Sequence, residues 1–531
     1  SIAIIIPIFS IIFQPTAQTN LFISLDFLNQ ILSHEYKIEI ILIILIMIFL
    51  VKNIFLAFFI KLKVRYVFLI QEYVSHHIFF KYLNSDYNFQ LKNDSSTIAR
   101  NIITEINIFT RSFFLSALDL IMENIVLITI CIFLLIYDFK TTILIISILG
   151  LSTYVIQKNK KKRINEFALR KQVANKYVLQ LISAVFNGIK EIKVNFLETK
   201  ILNKFDKLNS TRLLNDASIS FHAAMPRLLF EFISIFAIVM IILLKNDEAF
   251  NIGEAIAVYT FAIFRVMPSF IKIAIILQNL TVSKPSIKII EDHFIKNKNE
   301  IKIAMRKNEE MTYKINNNHI QKFNHVKFMI DKFKYDKEII LKNFVLDIEE
   351  NDKICISGKT GVGKSTLINI VTGIVDCKNL KIIINNKKVD DNLLFQKSSF
   401  SYMPQSSTIF QATIEENITF FDDNIDEEKY RRAVALSKCD FIEKFREKNQ
   451  TIVAEDGANM SGGQLQRIFI ARAIYSDKKI LIFDESTNQL DDSIENQIVN
   501  DILNLPKMVI FVTHKENIKK KFNKVIELNR D

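Results

Sequence analysis

Between Gly358 and Ser365 the sequence Gly358-Lys359-Thr360-Gly361-Val362-Gly363-Lys364-Ser365 combines spaced glycines, a lysine and two hydroxyl residues. That pattern suits a phosphate. Glycines let successive backbone N–H groups close around the anion, and a helix starting at the same point adds the positive end of its dipole. Lys364 is placed to reach the β and γ phosphates, Ser365 to ligate Mg²⁺, and Thr366 to open the helix beside them. The flanks agree, because Lys353–Ser357 reads as a strand and Thr366–Val371 as a helix. Further on, the apolar strand Ile480–Phe483 ends in Asp484 and Glu485. Asp484 can hold the metal through water, and Glu485 can act as base for an attacking water. Many strands end in acids, so this pair is weak by itself. It gains force from the loop before it and from Met460-Ser461-Gly462-Gly463-Gln464 between them.

These segments, in this order, resemble the nucleotide-binding domain of ATP-binding-cassette (ABC) transporters over the last two hundred or so residues. The resemblance implies ATP and Mg²⁺ as cofactors and assigns further roles. Tyr335 matches the aromatic that stacks on adenine. Gln405, in Tyr402-Met403-Pro404-Gln405, matches the residue that senses the γ-phosphate and Mg²⁺. Ser461, Gly462, Gly463 and Gln464 match the signature that contacts ATP bound to the opposite protomer. Asp491 closes the segment known as the D-loop, and His514 matches the switch histidine. Val453-Ala454-Glu455-Asp456-Gly457 resembles the stretch with which exporter cassettes touch the membrane loops. Met460 stands for the commoner Leu, Ala454 for Gly, and Asn488-Gln489 for Ser-Ala. None of these departures removes a catalytic group. One signature and one phosphate loop per chain imply a dimer, most simply of two copies, although a heterodimer would also complete the sites.

The elements that must carry this engine are of another kind. The chain has 531 residues, half of them hydrophobic, with mean hydropathy +0.21. Its apolar runs crowd before about residue 280. That division predicts a polytopic α-helical membrane domain over 1–282, a linker over 283–320 and an α/β phosphate-loop domain over 321–531. Five spans are expected at Glu39–Ile60, Phe114–Tyr137, Thr141–Ile156, Ala223–Leu244 and Ile252–Leu277. Ser1–Phe13 is short for a span and reads as the second half of a first helix, which makes six. The polar stretches after the second and fourth spans are long, amphipathic and rich in Lys and Arg. They extend the helices beyond the bilayer, with a tight break expected at Phe186-Asn187-Gly188. Leu21–Leu28 could lie flat on the outer interface or form an ordinary loop helix.

The net charge of +12 sits largely in those stretches. This is a positive-inside bias and no sign of nucleic-acid binding, and it turns the long loops and the C-terminal domain toward the cytoplasm of a bacterial inner membrane. Cys131, Cys355, Cys377 and Cys439 lack metal spacing, and Cys355 reads as a buried reduced thiol.

Cargo has to be argued from charge inside apolar segments, where it is costly and usually faces a cavity. Lys52, Arg227 and Arg265 are the candidates, and converging cations would suit a lipid phosphate or pyrophosphate. Two of them have plainer readings: Arg227 can pair with Glu231 four residues on, and Lys52 can snorkel. The stretches Ala224–Glu231 and Phe264–Ser269 resemble those of PglK-type flippases, which move lipid-linked oligosaccharides for protein N-glycosylation. That resemblance implies a membrane lipid partner and an anionic lipid-linked substrate, a polyprenyl-pyrophosphate glycan. The rivals are an exporter of another lipid, a drug or a peptide, and an ABC-type regulator or channel without a pump cycle.

Overall fold

The computed structural model describes residues 37–137, 139–244, 252–295, 323–335, 338–389 and 392–528, with a few isolated positions between 303 and 310. The expected first span Ser1–Phe13, the segment Leu21–Leu28 and most of the expected linker lie outside these residues. The chain divides into two units, Ser1–Ser85 with Gln90–Ile303, and Asp86–Phe89 with Ala304–Asp531.

The first unit is helical. Its long members are α1 (Lys37–Leu83), α4 (Ser116–Tyr137), α5 (Phe139–Asn187), α7 (Glu198–Leu244) and α8 (Ile252–Val282). Short helices α2 (Tyr87–Lys92), whose first three residues are assigned to the second unit, and α3 (Ser95–Arg100) follow α1, α6 (Ile189–Val194) follows α5, and α9 (Lys284–Ile290) follows α8. Each of the five expected spans from Glu39 onward falls within this helical framework. At 1.5 Å per residue α5 is roughly 70 Å long, more than twice the hydrocarbon thickness of a bilayer. It stops at Asn187, next to Gly188, as the sequence suggests. Among the described residues, Ser95–Ile136 and Glu198–Met240 are long and apolar enough to cross a membrane. The bent pair Val266–Val282 and Lys284–Phe294, turned by 48°, would make a third if it forms one span.

On α1, Ile43, Ile46, Met47, Val51, Ile54, Phe55 and Phe58 are all exposed. A helix apolar over so much of its surface cannot be a water-facing element and needs lipid or protein around it. Pro226 and Pro268 lie inside α7 and α8. Each removes one intrahelical hydrogen bond, which membrane helices tolerate where neighbours satisfy the freed carbonyl. Where α4, α5, α7 and α8 meet, Leu134, Leu149, Phe230, Phe270 and Ala274 form a buried cluster.

Between α3 and α4 the helix widens into π turns at Asn101–Glu105 and Ile108–Leu115. Residues five apart are not neighbours on an α-helix, yet here Arg100 and Glu105 pair at 3.5 Å, both buried. Glu105 also accepts from Gln172 Nε2 (2.9 Å) and Ser286 Oγ (2.6 Å), while Asn101 donates to the Tyr82 hydroxyl (3.0 Å). This polar knot joins α1, α5 and α9 to the π turns.

The second unit is α/β. An antiparallel sheet in the order β2-β1-β4-β5 contains β1 (His325–Tyr335), β2 (Glu338–Glu349), β4 (Leu380–Ile384) and β5 (Lys387–Lys388). A parallel sheet in the order β6-β7-β8-β3-β9 contains β6 (Phe400–Met403), β7 (Ile480–Asp484), β8 (Met508–Val512), β3 (Lys353–Gly358) and β9 (Lys524–Leu528). All five residues of β7 and of β8 are buried, as continuous apolar runs in a parallel sheet require. Helices α10 (Lys364–Val371), α14 (Gly462–Tyr475) and α15 (Asp492–Leu503) carry the segments of chemical interest, with α11 (Asn392–Ser399), α12 (Ile414–Thr419) and α13 (Glu427–Leu436) between α10 and α14.

Removing one member of a buried ion pair strands the other. Glu105→Ala is therefore expected to cost about 3 kcal/mol, read as a lower thermal midpoint of the detergent-solubilised protein. An unchanged midpoint would show that the knot does not hold the helices together.

Candidate functional site

The phosphate loop leaves the sheet at β3, between β8 and β9. Gly358 has φ +150°, and a Cβ there would lie 2.5 Å from the Leu528 carbonyl oxygen, so only glycine fits without moving β9. Gly363, at φ +107°, caps α10 in the left-handed region. The intervening Lys359, Thr360 and Gly361 are exposed, Val362 is buried beneath them, and Ser365 and Thr366 lie in the first turn of α10. Lys364 folds back across the loop, its Nζ donating to the carbonyls of Gly358 (2.7 Å) and Lys359 (3.1 Å). A glycine-lined loop opening onto a helix N-terminus, with an ammonium above it, fits a nucleotide's phosphates.

Parallel pairing brings the acidic end of β7 beside this loop's sheet. Asp484 pairs with Val512 of β8, and Val512 is also level with Ile356 of β3. Asp484 is buried and accepts from the Tyr402 hydroxyl at 3.3 Å. Burial pushes its carboxyl above the usual range, and neighbouring Glu485 pushes the same way, against the Tyr402 hydrogen bond and the Lys364 charge. A carboxylate held this way gains from a cation, and Asp484 with Ser365 and Gln405 could supply oxygen ligands to Mg²⁺.

Glu485 is the point on which the site converges. Gln405 Nε2 donates to its Oε2 at 2.7 Å, and His514 Nε2 lies 3.1 Å from its Oε1. Its backbone has φ +48°, a left-handed conformation uncommon for a side chain of this size, fixed by an N–H bond to the Val512 carbonyl (2.9 Å). Gln405, Glu485 and His514, far apart in the chain, thus meet at one point.

The signature segment makes its own device. Ser461 caps α14: its Oγ accepts from the Gln464 N–H (3.2 Å), while Gln464 Oε1 accepts from the Ser461 N–H (2.8 Å). Ser461 and Gly462 remain exposed, so this helix end can receive an anion from outside the chain. A Cβ on Gly463 would meet the Gln489 carbonyl oxygen at 3.3 Å, which brings the segment after Glu485 close against the signature. Asp491 caps α15. Glu455–Gly457 is a single tight turn with Asp456 at φ +51°. Tyr335 ends β1 opposite Glu338, but its side chain lies outside the described residues, as does that of Arg265 in α8.

The other two expected cargo residues, Arg227 and Lys52, lie in the helical unit. Arg227 donates from Nε to Glu231 Oε1 at 3.0 Å, the plainer pairing, while its side chain remains 73% exposed. Lys52 sits 4.8 Å from the ring of Phe49 on the same helix. The cysteines are free, and burial pushes the thiols of Cys355 and Cys439 up to about 11 and about 12, the behaviour of inert buried groups. No His, Cys, Asp and Glu cluster among the described residues could hold a metal by itself.

Residues 341–488 match the ABC transporter family model. The C-terminal unit thus has the fold of an ABC nucleotide-binding domain. A solved structure of a bacterial Atm1-family ABC exporter with ATP bound resembles the chain at TM-score 0.71, covering 88% of this chain and 81% of that one at 16% identity. That likeness shows the fold: a helical exporter-type unit followed by an ABC cassette. Similar curated proteins include the lactococcin-G-processing and transport ATP-binding protein LagD of Lactococcus lactis subsp. lactis, 34% identical over 37% of this chain and 29% of LagD. The alpha-hemolysin translocation ATP-binding protein HlyB of Proteus vulgaris is also 34% identical, over 39% of this chain and 30% of HlyB. The chain thus spans less than a third of the length of either relative.

Two supports of this site were not expected from the sequence. Tyr402 bonds Asp484, and Lys515, next to His514, bonds both oxygens of fully buried Glu495 at 2.9 and 2.8 Å. The second pair anchors the loop that presents His514. Its only sequence signal is a lysine beside the histidine. Lys515→Met should lower cassette stability by about 3 kcal/mol, visible as an earlier thermal transition. A melt identical to wild type would mean that Glu495 finds another partner.

Proposed function

We propose that this chain is one half of an ATP-driven exporter of the ABC type, working as a dimer, most simply of two copies, in a bacterial cytoplasmic (inner) membrane with its cassette in the cytoplasm. The observation that carries this reading is Glu485 held between Gln405 and His514, next to Asp484 and on the sheet edge that bears the phosphate loop. Mg²⁺, when bound, would neutralise phosphate charge. Lys364 binds and neutralises the phosphates. Glu485 orients a water and accepts its proton, Gln405 holds the Glu485 carboxylate in place, and His514 steadies its other oxygen. The exposed Ser461 end of α14 supports dimerisation, because it presents N–H groups and a helix dipole to a nucleotide on a second cassette.

For cargo, the reading is an anionic lipid-linked glycan of the polyprenyl-pyrophosphate kind. Its support is the cationic side chains in apolar helices: Arg227 largely exposed in α7, Lys52 in α1, and Arg265 at a helical position in α8. Relatives named for lactococcin-G processing and transport and for alpha-hemolysin translocation support the alternative of a peptide cargo, although they align with less than two fifths of this chain.

Glu485→Gln should reduce ATP hydrolysis at least about a hundredfold while leaving nucleotide binding intact. Equal hydrolysis by the two proteins in lipid would end the ATPase reading. In proteoliposomes, the wild type should flip a fluorescent polyprenyl-pyrophosphate sugar about tenfold faster than Arg265→Ala. Equal rates would remove Arg265 from the cargo path, and ATP hydrolysis without any flipping would point to the peptide alternative.

A further inference from the structure

Arg472 is a buried cation in α14 that has no carboxylate partner among the described residues. Its fork is spent on neutral oxygens. Nε donates to the Asn417 carbonyl (2.7 Å), Nη1 to the Thr408 carbonyl (2.9 Å) and Nη2 to Asn417 Oδ1 (3.0 Å). The guanidinium also lies 4.4 Å from the Phe420 ring, 5.2 Å from Phe469 and 5.7 Å from Phe410. Burial lowers its pKa to about 10, so it remains charged at neutral pH.

Asn417, itself fully buried, extends the clamp. Its Oδ1 accepts from the Phe410 N–H (2.9 Å), and its Nδ2 donates to the carbonyls of Phe410 (2.9 Å) and Thr413 (3.0 Å). One guanidinium therefore fastens the chain between Thr408 and Asn417 to the helix that begins at the signature. That stretch starts three residues after Gln405, whose amide touches Glu485. Desolvating a cation without an anion is costly, and a well-packed apolar side chain would stabilise the same place more simply. Fixing one geometry is what the fork adds.

We propose that Arg472 is the positioning residue for Gln405: it ties the exit of the Gln405 loop to the signature helix, so that the two move as one body relative to Glu485. The proposal deepens the ATPase reading and rests on it. Lysine keeps the charge but cannot reproduce a planar fork to three oxygens.

The test uses the full chain in lipid nanodiscs as wild type, Arg472→Lys, Gln405→Ala, the double variant and Glu485→Gln, with kcat, KM for ATP and thermal midpoint measured for each. Arg472→Lys should lose about tenfold or more in kcat, with KM close to wild type because the phosphate loop is untouched and a somewhat lower midpoint because buried oxygens at Thr408 and Asn417 lose donors. The double variant should be no slower than Gln405→Ala alone, since both changes act through one group. An unchanged kcat in Arg472→Lys, or losses that multiply in the double variant, would overturn the proposal. If Arg472→Lys does not fold, Asn417→Ala loosens the same clamp and carries the same comparison. A wild type as slow as Glu485→Gln would sink the ATPase reading itself, and this inference with it.

Discussion

The parallel hydrogen-bond ladder of β7, β8 and β3 is the constraint on which the site depends. Parallel strands end on the same edge of a sheet, and their register here is tight, with Asp484 level with Val512 and Val512 level with Ile356. Four of the site's segments leave at that edge: the phosphate loop from β3, the acidic pair from β7, the Thr513-His514 turn from β8 and, from neighbouring β6, the stretch to Gln405. In open α/β sheets the crevice outside the carboxyl ends of the strands is where ligands sit. The buried apolar runs of β7 and β8 hold this register, because a slip by one residue would turn their packed side chains to the opposite face.

Within that frame the geometry of Glu485 follows from its backbone. A left-handed residue straight after a strand turns the chain sharply, at a cost on the order of 1 kcal/mol or more. The N–H bond to Val512 and the contacts to Gln405 and His514 offset that cost. Asp484, one residue earlier, remains inside the sheet and buried. Two adjacent carboxylates thereby acquire different surroundings, one suited to a metal and one to a water.

The helical unit obeys other physics. Its apolar helices expose Ile, Phe and Leu over wide faces, and its polar groups are gathered into knots such as Arg100–Glu105 with Gln172 and Ser286. The π turns that carry this knot leave no mark in hydrophobic spacing, since a widened turn changes which residues face one another without changing composition. Gly188, by contrast, announced its break plainly.

Much of the fold and of the cassette site was legible in the sequence, because both are written in short contiguous runs. Apolar length marks membrane helices, and Gly358–Ser365, Ser461–Gln464 and Asp484-Glu485 combine residue types that suit one chemistry at one spacing. Positions beyond those runs were less accessible. Tyr402 on Asp484, Lys515 on Glu495 and Arg472 on Thr408 and Asn417 are pairings across 82, 20, 64 and 55 residues. Arg227 shows the opposite limit, since its partner Glu231, one helical turn away, could be named from spacing alone. The elements and the chemical character of the phosphate loop are written in the chain itself, because local propensity and residue type act over a few positions. Which side chains steady Glu485, and which cation holds the stretch from Thr408 to Asn417, emerges from the folded chain alone. Those contacts depend on strand order and helix packing, which no local stretch of the chain encodes.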